Sequence, residues 1–354
     1  MKTAFCRGSV LLAVMFLAVG SASAGDAERD LLILSSTNNP AGNEVVVFKL
    51  DRSGAPSLTF VSALATGGNG GASGNAGILQ FRGELGAVGN FGSNTVSQLV
   101  RNGDSISLGQ TITLAQGCTH PDSVALTSHH LFVVGANCAE SHNWPSGDLD
   151  GEVVRLADSS AGQIAIGVTW GAITLTSGSL LQLSLTDDGA LSGSSVTVPL
   201  PSNASNTPLG AAFWRNVLGF TPAHSVDSFA IVDEKQSVFP ILGPTPSYPT
   251  NAPCWVAKGP GNVWYTANSP GQAVSIFFSD AQGGSFYKSI PLPGTPTDLA
   301  VSHDSRWLAV IYAAADGSGA RLAVFAIDDY GDLSLVATSS PIGVTAFSGV
   351  AFSR

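Results

Sequence analysis

Short apolar strands recur along this chain at a spacing of about 45 residues, and that period constrains the fold more than any other feature. A strand often opened by proline reads "NAGILQF" at 75, "PDSVALT" at 121, "PLGAAFW" at 208, "PCWVAKG" at 253, "PTDLAVS" at 296 and "FSGVAFS" at 347. Successive starts lie 46, 87, 45, 43 and 51 residues apart. The 87 is close to a double step, and "QIAIGVT" at 163 falls inside it. A self-similar unit of this length is a module that buries its apolar faces only by packing on its neighbours.

After each of these strands comes a second one that runs into an acidic or glycine-rich turn. Examples are "EVVVFKLDRSG", "NTVSQLVRNGD", "LLQLSLTDDG", "AVSIFFSDAQGG" and "RLAVFAIDDYGD". Alternating β-branched and polar residues between turn signals is a strand pattern. No stretch after the N-terminal segment has helical periodicity. Four strands per 40–50 residues is the signature of a propeller blade. The first blade opens with "DLLILSST" and "NEVVVFKL", and the chain ends on the lone strand "FSGVAFS". The expected fold is therefore an all-β, seven-bladed propeller closed by the C-terminal strand in the N-terminal blade. Six blades with an insertion is the alternative, because residues 140–180 leave little room for regular strands.

The N-terminus carries Lys2 and Arg7, then the apolar run "SVLLAVMFLAVG", then Ala22-Ser23-Ala24. That order reads as a secretory signal peptide over 1–24, leaving one domain over 25–354. The apolar run is too short to span a membrane. Residues 25–354 lose two of the 15 basic residues and none of the 25 acidic ones, for a net charge of −12. Such a balance argues against nucleic acid and anionic membrane surfaces as partners. A small-molecule ligand or substrate, no cofactor, no metal and a monomeric chain are the expectations. Cys118, Cys138 and Cys254 remain beyond the signal, which points to one disulfide and one thiol.

The stretches "GNFGSNTVSQLV", "APCWVAKGPGNVWYTANSPGQAVSIF" and "PTDLAVSHDSRWLAVIYAAADGSGARLAVFAIDDYGDLSL" resemble the lactonase-family propellers. These include the propeller-type 6-phosphogluconolactonases and the fungal carboxymuconate cyclases. The resemblance implies opening or closing of a lactone ring in a central pocket. It rests on repeat scaffold, and no catalytic residue of the family is matched to a position here.

In a blade with strands a to d from axis to rim, the b–c and d–a connections share one end of the ring, here the upper face. The a–b and c–d turns share the lower face. With "PDSVALT" as strand a and "HLFVVGAN" as strand b, Cys118 and Cys138 fall opposite each other at the upper end, a separation that suits a disulfide. His129 and His130 fall at the lower end, roughly 20 Å away, so they cannot share a metal with the cysteines.

The upper face is expected to gather His120, Asp122, the long loop after Cys138 with Glu140, His142, Trp144, Asp148 and Asp150, and then Asn90, Asn94, His224, Asn251, Cys254, Asn268 and Asp298. Within that set His120 or His142 is the candidate base, with Asp122 or Glu140 to orient it. Asn90 and Asn94 are candidates for stabilising an oxyanion. Asn90, Asn94, Trp144, His224, Asn251, Cys254, Asn268 and Asp298 are the candidate substrate contacts. Each has a plainer reading as a loop hydrogen bond or packing contact. Asp122 and Asp298 read as equivalent positions in two blades.

Arg82, Arg215, Lys258 and Arg306 fall at lower-face turns, and Arg155 and Arg321 on c strands away from the axis. The upper face thus lacks the fixed cations that a phosphorylated or tricarboxylate lactone requires. Two functions fit: an exported hydrolase of uncharged lactones, or a non-catalytic binding module on the same scaffold.

Overall fold

The computed structural model describes residues 30–71, 77–157, 159–224, 228–242, 252–280, 283–343 and 347–353. The expected signal segment 1–24 and Asn251 lie outside the described residues. Seven four-stranded antiparallel sheets surround one axis, so the fold is a seven-bladed propeller. The inner strands, in blade order, are Ser348–Ser353, Leu79–Arg82, Pro121–Leu126, Ala161–Ile166, Pro208–Trp214, Pro253–Lys258 and Gly294–Val301. No helix among the described residues is long and apolar enough to cross a membrane.

The crowded stretch between blades three and four resolves into two blades because the outer strand of blade three shrinks to Val154–Arg155. The C-terminal strand closes the ring: it pairs Ile33 with Phe352 and Leu34 with Ala351 in the first blade. Arg101, buried in the c strand of blade two, reinforces that closure. Its guanidinium donates to Ser353 O at 2.5 Å, Asp30 O at 2.6 Å and Gly103 O at 2.7 Å.

Proline opens three inner strands at Pro121, Pro208 and Pro253. An inner strand has one unpaired edge, so a first residue without an N–H loses nothing there. The residue before each proline, His120, Thr207 and Ala252, has φ of 56°, 58° and 60°, a turn repeated at three blade junctions. A bulge follows in blades three and seven: Pro121 and Ser123 pair across a skipped Asp122, and Pro296 and Asp298 across a skipped Thr297. Asp122 therefore matches Thr297, and Ser123 matches Asp298. This corrects the expected equivalence of Asp122 and Asp298 by one residue.

Apolar side chains of the middle strands pack blade against blade. Trp264, Phe229 and Phe277 fill the space between blades five and six, and Tyr265, Tyr312 and Phe325 that between six and seven. Cys118 and Cys138 form a disulfide with Cα atoms 5.7 Å apart, and Cys254 is free. The bridge ties the connection entering blade three to the start of its third strand. Replacing both cysteines by alanine should lower the urea midpoint by the equivalent of roughly 2–4 kcal/mol, because the bridge closes a loop of 20 residues. An unchanged midpoint would show that the denatured chain is not restrained by it.

Candidate functional site

Third-strand residues decide where the expected catalytic set lies. Cys138–Asn143 is strand c of blade three, entered through a two-residue turn at Ala136-Asn137. Glu140 and His142 are therefore not in an upper-face loop. They alternate with Ala139 and Ser141 and point with Cys138 into the junction with blade two, where both are buried. Asn143 pairs with His130, so Trp144, Asp148 and Asp150 emerge at the lower end, beyond the a–b turn. The reason is the period of a strand: C-A-E-S-H-N places Glu140 and His142 with Cys138 on one face and Ser141 on the other, and a strand with buried polar residues reads in sequence as a loop.

His142 Nε2 lies 2.9 Å from Glu140 Oε1 and His142 Nδ1 lies 3.0 Å from Gly147 O. Glu140 Oε2 accepts the Ala115 N–H at 2.9 Å. A second pair joins blade three to blade four: His130 Nδ1 lies 2.7 Å from Asp150 Oδ2 and Nε2 lies 2.8 Å from Asp188 O. Each ring faces two oxygens, one at each nitrogen. These histidines are engaged on both sides and are buried.

Asn90 is wholly buried and its amide is spent. Oδ1 accepts from Thr66 Oγ1 at 2.7 Å and Asn43 Nδ2 at 3.2 Å, while Nδ2 donates to Ser97 Oγ at 2.8 Å and Thr95 Oγ1 at 3.1 Å. Asn268 does the same work in blade six, accepting from Thr266 Oγ1 and donating to Ser275 Oγ. Cys254 lies half-buried, with Sγ 3.4 Å from Ala252 O, and burial pushes its thiol up. His224 is exposed in the b–c connection of blade five, with Nδ1 2.8 Å from Thr207 Oγ1.

Of the two candidate bases, His120 is the one that lies exposed on the upper face. It sits directly above the inner strand of blade three. Its backbone N–H donates to Asn94 Oδ1 at 2.7 Å, and its ring stacks on Phe91 with centroids 4.8 Å apart. Among the described residues neither its ring nitrogens nor Asn94 Nδ2 has a hydrogen-bond partner. Asp122 is half-buried two residues further on.

The ring axis holds a cavity of about 360 Å³ to which all seven inner strands contribute. It runs from Gly77, Gln163 and Asp298 down to Leu126, Lys258 and His303 at the lower end. Asp298 closes it above. Its buried carboxylate accepts N–H groups of Leu299, Gly77, Gly349 and Val350, joining blades seven, one and two. Burial pushes Asp298 up to about 7, against the pull of those four donors. Gln163 sits beside this layer, its Oε1 accepting the Ala211 N–H at 2.8 Å.

Lys258 donates to Gly259 O and Gly261 O and lies 5.3 Å over the rings of both Trp214 and Trp264. Burial pulls it down to about 8. Gln163 and His303 escaped the sequence reading, and Lys258 was placed at a lower-face turn without being seen as lining the axis. The inward edge of strand a, marked by its opening proline, was the available signal for them.

The expected positions of the cations also need correction. Arg155 lies on the outer strand, not a c strand. It pairs with Cys138 at the upper end, with Nη2 on Gln116 O at 2.8 Å and Nη1 3.6 Å from Cys118 Sγ. Arg321, on the c strand of blade seven, contacts Ser318 Oγ at 3.3 Å.

No protein-family model and no curated protein matches the sequence. Solved structures match the fold. A protein from Lactobacillus plantarum superposes with a TM-score of 0.70 at 14% identity, covering 92% of this chain and 99% of that one. A candidate 6-phosphogluconolactonase from Bacteroides fragilis matches with 0.67 at 12% identity over 92% and 98%. A periplasmic gluconolactonase from Pseudomonas aeruginosa matches with 0.64 at 14% identity over 91% and 98%. The chain has the seven-bladed fold of the lactonase-type propellers.

Proposed function

We propose that the protein is an exported hydrolase of uncharged lactones, working on the upper face around His120. The observation that carries this is the exposed His120 imidazole, held by Phe91 and Asn94 with its ring nitrogens unengaged among the described residues. Such a ring takes a proton from water attacking the lactone carbonyl. In this reading Asn94 Nδ2 donates to the oxyanion, and Asp122 swings in to orient the imidazole when substrate binds.

Glu140, Asp148 and Asp150, which would have made this face repel anions, belong elsewhere. Preference for uncharged substrates then rests on Arg155 lying on the outer strand of blade three and Arg321 on the third strand of blade seven, both away from the axis and already hydrogen-bonded. Export is supported by the Cys118–Cys138 bridge, a bond of oxidising compartments. Two of the fold relatives are described by lactonase names, which supports the reaction class by analogy of fold.

The test is pH-stat titration against a panel of neutral and anionic lactones. Neutral lactones should be opened, with activity falling on acidification, and His120→Ala should lower kcat by about 10²–10⁴-fold. Retained activity in that variant, or a phosphorylated lactone as best substrate, would remove the assignment. A second reading, a binding module without turnover, is favoured by one feature: no carboxylate among the described residues is hydrogen-bonded to His120. Calorimetric binding of a lactone that is never opened would establish it.

A further inference from the structure

Strand alternation brings three metal-ligating side chains to one face of blade three: Cys138, Glu140 and His142. Cys118 meets them from the preceding connection. The two sulfur atoms and a carboxylate oxygen of Glu140 all lie within 4.8 Å of one another, and all three residues are buried. The two sulfurs are bonded to each other in this structure; once reduction lets them part, two thiolates and a carboxylate this close can hold a zinc ion, whose bonds to sulfur are about 2.3 Å and to oxygen about 2.0–2.2 Å.

We propose that reduction of the Cys118–Cys138 disulfide turns this junction into a zinc site with Cys118, Cys138 and Glu140 as ligands. Three protein ligands is the number that open zinc sites use. His142, 2.9 Å from Glu140, is a positioning residue that orients the carboxylate from behind, and the Ala115 N–H fixes its other oxygen. Arg155, 3.6 Å from Cys118 Sγ, favours the thiolate there. The guanidinium also offsets the surplus negative charge that two thiolates and a carboxylate leave on a divalent ion.

The chemistry balances. A dithiol reductant supplies two electrons and two protons, the S–S bond breaks, two thiols form, and the reductant leaves as its own disulfide. Zinc then releases both thiol protons to solvent as two Zn–S bonds form. Bridge and metal both tie the connection entering blade three to its third strand, so the junction keeps a cross-link in either redox state. This inference does not rest on the lactonase proposal, since His120 takes no part.

The experiment uses the full chain in a Cys6→Ser, Cys254→Ser background, so that Cys118 and Cys138 are the only cysteines present. Oxidised and reduced protein are incubated with zinc, passed through gel filtration and assayed for metal. Reduced protein should retain one zinc per chain and oxidised protein none. Cobalt in place of zinc should give sulfur-to-metal charge-transfer absorption in the near ultraviolet. Glu140→Gln should weaken binding at least ten-fold, and His142→Gln should weaken it without abolishing it. If reduction unfolds the chain, zinc should restore a cooperative melt. Reduced protein that holds no more zinc than oxidised protein, and that zinc does not refold, overturns the site.

Discussion

Deleting Ser348 to Arg354 should abolish the cooperative melt and drive the protein to aggregate. The C-terminal strand pairs with Leu32 to Ser36 of the first blade, and Leu32, Ile33 and Leu34 are wholly buried. Without it, the edge of that strand and its apolar neighbours face solvent, a template for pairing with other chains. The loss spreads beyond one ladder. Arg101 loses its bond to Ser353 O, one of three backbone carbonyls that hold its buried guanidinium. Asp298 loses two N–H donors, from Gly349 and Val350. Circular dichroism melts with size-exclusion chromatography report the outcome. A truncated monomer with the parent's melting temperature would show that closure contributes nothing.

The second large effect should be a pH dependence set by Asp298. Its folded value of about 7 lies above the ordinary carboxyl value of 3.8, because burial penalises the charged form. For an acid raised on folding, the folded state holds more protons between the two values. The stabilisation is complete below pH 3.8 and disappears as pH rises through about 7. Between pH 5 and 8.5 the contribution should fall by roughly 2–3 kcal/mol.

Asp298→Asn isolates this group, because an amide does not titrate. The variant should be less stable at every pH, since Nδ2 would face backbone donors. Its deficit against the parent should shrink as pH rises over that range. Denaturant melts at four or five pH values measure the difference. A deficit independent of pH would mean that Asp298 is ionised throughout, with the four N–H bonds outweighing burial.

Placement of the candidate site was legible in some segments and hidden in others. His120 was readable because it precedes the proline of an inner strand, and propeller topology sends that end of the strand to the upper face. Cys118 and Cys138 were readable for the same reason, lying symmetrically outside one hairpin. Glu140 and His142 were not. Their alternation with Ala139 and Ser141 is a strand pattern only if carboxylate and imidazole are accepted as the buried face, and nothing local shows that each satisfies the other. Asn90 and Asn268 were legible as polar residues at b–c ends, yet Asn90 draws its partners from other strands and connections and Asn268 from Ser275 of the next strand as well as its own Thr266, so their amides looked available when they are spent.

Sequence alone determined the repeat, the all-β class, closure by the C-terminal strand and the disulfide, while it left six blades open beside seven. Each follows from local periodicity or from the spacing across a single hairpin, which the backbone geometry of strands dictates. Only the tertiary structure decided which polar groups are free. Asp298 meets Gly77, Gly349 and Val350 across the axis, and Arg101 meets Ser353 across 252 residues. Whether a side chain is a base, a clamp or a potential ligand depends on partners brought together by ring closure, and no local pattern records those partners.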